Sequence, residues 1–142
     1  MQLDERPALA DTTAPISYTT RPLRVLVVED GIDAVRALSA LLSDMGHRVE
    51  WAINGYAALE VARKFLPHVV LLDLGLPGMD GYEVCSRLKG DARLQSSRII
   101  AITAYSQEHH RIRARTAGCE LHLAKPVSPQ ALFDILESVG VG

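Results

Sequence analysis

The chain has 142 residues, with 15 basic and 17 acidic side chains, a formal net charge of −2, 48% hydrophobic and 23% charged residues. That length supports one domain of ordinary size, and the near-neutral balance lacks the basic footprint of a dedicated nucleic-acid binder. No run approaches the ~18 apolar residues of a membrane span, and residues 1 to 22 lack the basic start and apolar stretch of a secretory signal. Cys85 and Cys119 stand far apart and form no Cys-x-x-Cys pair. A zinc site or disulfide framework is therefore not expected, and a reduced cytoplasmic setting with both cysteines packed as small apolar side chains is.

Residues 1 to 22 hold Pro7, Pro15 and Pro22 without sustained periodicity, and are read as a flexible tail ahead of a domain over 23–142. From Leu23 to Val28 runs a β-branched apolar stretch suited to a strand covered on both faces, broken by Glu29-Asp30-Gly31. Ala34, Leu38, Leu41, Leu42 and Met45 then recur at helical spacing up to Gly46. Val49 to Ala52 reads as a second strand. Asn54 caps a second helix that Pro67 ends. Val69 to Leu72 is the most apolar strand and ends on Asp73.

A Pro77/Gly78/Gly81 turn leads to a third helix over Tyr82 to Lys89. Ile99 to Ile102 forms a fourth strand ending on Thr103, and a fourth helix from Gln107 to Ala117 closes at Gly118. Leu121 to Ala124 is a fifth strand ending on Lys125. Ser128 as cap, with Pro129 at the first helical position, starts a last helix to about Val139. Five alternations of strand and helix imply a doubly wound α/β fold, a five-stranded parallel sheet with five helices on its two faces.

Ligands of such sheets gather outside the carboxyl ends of the strands. The residues that break the apolar strands there are Glu29, Asp30, Asp73, Thr103 and Lys125. Two carboxylates at 4 Å repel by ~4 kcal/mol at an effective dielectric of about 20, so a proton or a cation must compensate. An all-oxygen donor set without nearby His or Cys favours a hard cation such as Mg²⁺. A carboxylate nucleophile, a metal, a lysine and a hydroxyl donor together suit phosphoryl transfer.

With these residues in place the chain resembles a response-regulator receiver domain, the phosphoacceptor module of two-component signalling. The resemblance runs from Leu23 to about Val139. It rests on Glu29-Asp30, the run from Asp73 through Leu74, Gly75, Leu76, Pro77, Gly78, Met79 and Asp80 to Gly81, the Thr103-Ala104 pair and the Lys125-Pro126 pair. It implies a flavodoxin-like fold and gives Asp73 the role of accepting a phosphoryl group from a histidine kinase or histidine phosphotransfer protein. Asp30, Asp73 and the Gly75 carbonyl would hold Mg²⁺ or Mn²⁺ directly, with Glu29 acting through water. Lys125 would pair with the phosphoryl oxygens, Thr103 would close on them, and the Lys125-Pro126 bond is commonly cis in the family.

One position departs from the pattern. The second switch residue, three before the lysine, is usually Tyr or Phe and is His122 here, a polar residue in place of an aromatic one. A switching role for His122 stands beside that of a plain half-exposed strand histidine. Tyr105, two residues past Thr103, is a further candidate for controlling access.

Arg111 and Arg115, with Arg113, His109 and His110 nearby, are read first as a solvated helix face and second as a docking patch for an acidic partner. Helix 4, strand 5 and helix 5 make the face most receivers use for output or pairing, so output through an unknown protein and homodimerisation are expected there. Met79 and Trp51 are expected to pack. A dehalogenase-type phosphatase needs a second Asp two residues after the nucleophile, where Gly75 stands, and flavodoxin-type cofactor binding conflicts with the acidic first loop. The expectation is a free-standing regulator, not a dedicated enzyme, with output by protein contact. A receiver excised from a hybrid kinase and a non-phosphorylated binding module are the alternatives.

Overall fold

The computed structural model describes residues 21–76, 78–104, 108–119 and 121–141. Five strands form one parallel sheet: β1 (Arg24–Val28), β2 (Arg48–Ala52), β3 (Val69–Asp73), β4 (Arg98–Thr103) and β5 (Leu121–Ala124). Five helices alternate with them: α1 (Ile32–Asp44), α2 (Gly55–Phe65), α3 (Gly81–Gly90), α4 (Glu108–Ala117) and α5 (Pro129–Val141). The strand order is β2-β1-β3-β4-β5, so the doubly wound fold read from the alternation is the one observed.

Each strand residue faces opposite to its neighbour, and this period of two divides the core. Leu26, Val28, Val70, Leu72, Ile99 and Ala101 pack with α2 and α3 on one face. Val25, Val27, Val69, Leu71, Ile100 and Ile102 pack on the other face, against Leu42 of α1, Met45 at the end of that helix, and Leu132 and Leu136 of α5. Central strands buried on both sides read as continuous apolar runs, which is why β1, β3 and β4 were plain in the sequence. Each fully buried Leu or Ile contributes about 1.5 to 3 kcal/mol.

The caps follow local chemistry. Asn54 Oδ1 accepts from Ala57 N at 2.8 Å and Ser128 Oγ from Ala131 N at 3.0 Å, as read from the sequence. Asp80 caps α3 in the same way, accepting from Glu83 N at 2.9 Å. A short 3₁₀ turn at Ala92–Leu94, capped by Asp91, was not expected. Its three residues are too short to show a periodicity.

Two expectations about packing need correction. Met79 is buried as expected, but Trp51 is 50% exposed because β2 is an edge strand and the Trp51 side chain stands on its outer margin. Arg113 is not only solvated: its guanidinium carbon stacks 3.9 Å from the centroid of the Tyr82 ring and it approaches Asp80 Oδ2 at 3.6 Å, joining α4 to α3. Arg115 is exposed. The side chains of His109, His110 and Arg111, and Gln107 as a whole, lie outside the described residues.

Candidate functional site

The order of the sheet reverses between β1 and β3, and both strands end there in carboxylates. Loops leave that point toward opposite faces and open a crevice. Glu29 follows β1, and its main chain extends the sheet by donating to Ala52 O at 3.1 Å. Asp30 comes next and is exposed, whereas Glu29 and Asp73 are buried. Oxygens of Glu29, Asp30 and Asp73 lie within 4.8 Å of one another. Strand ends have thus brought together carboxylates 43 positions apart in the chain (73 − 30).

Lys125 lies between two of them. Its Nζ is 3.1 Å from Asp73 Oδ2 and 3.2 Å from Glu29 Oε1. The ammonium is placed by the turn after β5, where Lys125 N donates to Thr103 O at 3.1 Å and the Lys125-Pro126 peptide is cis. Asp73 Oδ1 accepts from Gly75 N at 2.9 Å, which folds the β3–α3 loop back on the carboxylate. Gly81 closes that loop against the strand: a Cβ there would stand 2.5 Å from Leu74 Cα and 2.9 Å from Asp73 O. Glu29 Oε2 accepts from Gly31 N at 3.2 Å.

The electrostatics follow from this crowding. Burial is the largest cause raising the Glu29 pKa above its ordinary value; the Asp73 charge adds to it, and the Gly31 N–H and Lys125 oppose it. For Lys125, burial acts to lower the pKa, but hydrogen bonds to and charges of Asp73 and Glu29 outweigh it, so the net shift is upward. The ammonium is thereby kept charged. The donor set is entirely oxygen, and two partly desolvated carboxylates share one lysine, so residual negative charge faces the crevice. These residues fit a hard divalent cation.

Thr103 ends β4 one residue past Ile102, the partner of Asp73 in the register, and its side chain is buried. His122 of β5 pairs with Ala101 of β4 and is half-buried, on the face of the sheet that carries α2 and α3. Tyr105 lies outside the described residues. Of the residues singled out from the sequence, Glu29, Asp30, Asp73 and Lys125 therefore meet at one point, with Gly75 held to Asp73.

The sequence did not reveal an apolar hollow of about 540 Å³ beside the cluster. Ala34, Leu38 and Leu41 of α1 line it together with Pro126 and Val127, and Glu29 and Lys125 form its polar end. Its signal was present in the helical spacing of those α1 residues, but spacing alone does not distinguish a covered stripe from an open one.

Residues 25–137 match the family described as the response regulator receiver domain. The response regulator PleD of Caulobacter vibrioides is 37% identical over 116 residues, 82% of this chain but only 26% of PleD, so the chain spans about a quarter of that relative. The polar-differentiation response regulator DivK of Brucella anthropi is 32% identical over 117 residues, 82% of this chain and 95% of DivK. Among solved structures, a putative response regulator from Chloroflexus aurantiacus superimposes with a TM-score of 0.80 at 30% identity, covering 86% of this chain and all of that one. Receivers are signalling modules of two-component systems that bind Mg²⁺ through acidic residues and interact with kinases, phosphotransfer proteins and output partners. Among the described residues no helix is long and apolar enough to cross a membrane. With its fold, its strand-end carboxylates and its match over most of the chain, this protein belongs to the response regulator receiver domain family.

Proposed function

We propose that the chain accepts a phosphoryl group on Asp73 from a histidine kinase or histidine phosphotransfer protein and signals through contact with another protein. The observation that carries this reading is Lys125 Nζ lying 3.1 Å from Asp73 within a cluster of carboxylates whose oxygens fall within 4.8 Å. An Asp73 oxygen attacks the phosphorus of a phosphohistidine, the P–N bond breaks, and an acyl phosphate forms as the imidazole leaves. Lys125, charged through the reaction, neutralises a phosphoryl oxygen. Thr103 donates its hydroxyl to another once the group is in place.

Asp30, Asp73 and the Gly75 carbonyl would hold Mg²⁺ or Mn²⁺, with Glu29 through water; when bound, the cation supplies positive charge opposite the phosphoryl oxygens. Buried Glu29 and Asp73 support this role, because they carry negative charge that Lys125 alone does not balance. His122, on the strand leading to Lys125, is the candidate for coupling the site to the α4–β5–α5 face, where an output protein or a second copy would bind.

Incubation with acetyl phosphate and Mg²⁺ tests the reading. Intact mass should show one added phosphoryl group, lost in Asp73→Asn and when the cation is chelated. An unmodified parent chain, with a known receiver reacting in parallel, would refute it.

A further inference from the structure

Cys85 and Cys119 lie outside the acidic site, and nothing in the phosphoryl chemistry uses them. Cys85 sits on the inner face of α3, and Cys119 follows α4 in the turn that leads to β5. The fold brings them together across 34 positions, with the Cys119 thiol donating to the Cys85 sulfur at 2.9 Å. That is shorter than ordinary contact between two sulfur atoms and longer than the covalent bond of about 2.05 Å. Both side chains are buried, at 0% and 1% exposure.

The backbone presses the two elements together. Gly118 adopts φ of +112°, and a Cβ there would stand 2.6 Å from Lys89 Cγ and 3.6 Å from Cys85 Sγ. Only glycine enters this conformation without strain, so the turn lies flat on α3 and delivers Cys119 to Cys85. Two packed core thiols account for the burial, as the sequence suggested. Packing requires only volume at these positions; the sulfur-to-sulfur contact adds a chemistry that volume does not require.

We propose that Cys85 and Cys119 are a modification site at which a hydroperoxide forms an intramolecular disulfide, fastening α3 to the turn between α4 and β5. With hydrogen peroxide, the Cys85 sulfur attacks one peroxide oxygen. The O–O bond breaks, a sulfenic acid forms, and the thiol proton leaves with the second oxygen as water. The Cys119 sulfur then attacks the sulfenic sulfur. The S–S bond forms, the S–O bond breaks, and the hydroxyl leaves with the Cys119 proton as a second water. Two thiols lose two electrons and two protons, and one peroxide becomes two waters.

The division of roles follows from the surroundings. The hydrogen bond to Cys85 and burial push the Cys119 thiol well above its ordinary pKa, so it keeps its proton and acts second. Peroxide would reach Cys85 on local opening of α4, which exposes Ile112, Arg113, Arg115 and Thr116 and rests on the core that holds both thiols through Ala117. The staple then anchors the entry to β5, the strand that carries His122 and leads to Lys125.

The test is independent of Asp73. The reduced full chain is treated with hydrogen peroxide, quenched, unfolded with N-ethylmaleimide and weighed intact. The expected product is a monomer that has lost two hydrogens and takes up no maleimide, yields a linked Cys85–Cys119 peptide, and regains two maleimides after dithiothreitol. Cys85→Ala and Cys119→Ala should each keep one reactive thiol and show no such loss. If either variant does not fold, the peptide map of the parent decides. Two maleimides after oxidation, oxygen added without loss of hydrogen, or a disulfide-linked dimer would overturn the proposal.

Discussion

Arg113 places its guanidinium carbon 3.9 Å from the centroid of the Tyr82 ring, which ties α4 to the first turn of α3. The same side chain approaches Asp80, the residue that caps α3. This contact should contribute to how readily α4 opens. Arg113→Ala is expected to cost about 0.5 to 1 kcal/mol and to speed amide hydrogen exchange across residues 108–117. Arg113→Lys keeps the charge toward Asp80 but loses the planar stack, and should fall between the two. Unchanged exchange in α4 would show that the contact does not hold the helix.

Gly81 brings the end of the β3–α3 loop against its own start and the last residue of β3. The atoms a methyl group would meet, Leu74 Cα and Asp73 O, are main chain and cannot swing aside. Gly81→Ala is expected to destabilise the fold by about 1 to 3 kcal/mol, read by denaturant unfolding. It should also weaken Mg²⁺ binding, because the loop it displaces carries Gly75.

Burial and the Asp73 charge hold Glu29 above its ordinary pKa of 4.5. A carboxyl group whose folded pKa is raised contributes stability below the unfolded value and loses it as pH rises through the folded value. Without a divalent cation, Glu29→Gln should therefore raise the melting temperature near neutral pH. The gain should shrink on acidification toward about pH 4. Mg²⁺ should stabilise the parent more than the variant. A melting-temperature difference that ignores both pH and Mg²⁺ would contradict this account.

Two histidines accept hydrogen bonds from successive residues at the start of the sheet: His47 Nδ1 from Leu23 N at 3.0 Å, and His68 Nδ1 from Arg24 N at 2.8 Å. Burial, partly offset by Glu137, lowers the His47 pKa below 6.5, and burial together with Arg24 lowers that of His68. A proton on Nδ1 would face an N–H. The folded state therefore binds protons less readily than the unfolded one, and stability present above pH 6.5 is lost as pH falls through that value toward the folded pKa. Melting temperature should drop between about pH 7 and about pH 5. His47→Asn, which supplies an oxygen in place of Nδ1 without titrating, should flatten the drop.

Much of this molecule is legible in its sequence because the central strands are covered on both faces. Val25–Val28, Val69–Leu72 and Ile99–Ile102 are nearly unbroken apolar runs, so the polar residues that end them stand out as a set. The site at Glu29, Asp30, Asp73 and Lys125 follows from that contrast. The edge strand was harder: Arg48, Glu50 and Trp51 meet solvent, and nothing in Trp51 itself says which side is open. Tertiary contacts between residues far apart were not legible at all. The Arg113–Tyr82 stack and the Cys85–Cys119 contact each join α3 to a segment about 30 residues later, and neither leaves a local pattern.

Trp51 is the chain's one tryptophan, half-exposed on β2 and paired in register with Val27 next to the strand end that bears Glu29. Beside it lie Ile32, Val35 and Arg36 of α1, but neither Asp73 nor Lys125. Ultraviolet excitation of the native protein thus illuminates a single, water-facing indole at the margin of the sheet. Its emission serves as an optical gauge of the α1–β2 margin, and a change in colour on adding a cation or a partner would mean that the event had spread one strand sideways from the crevice.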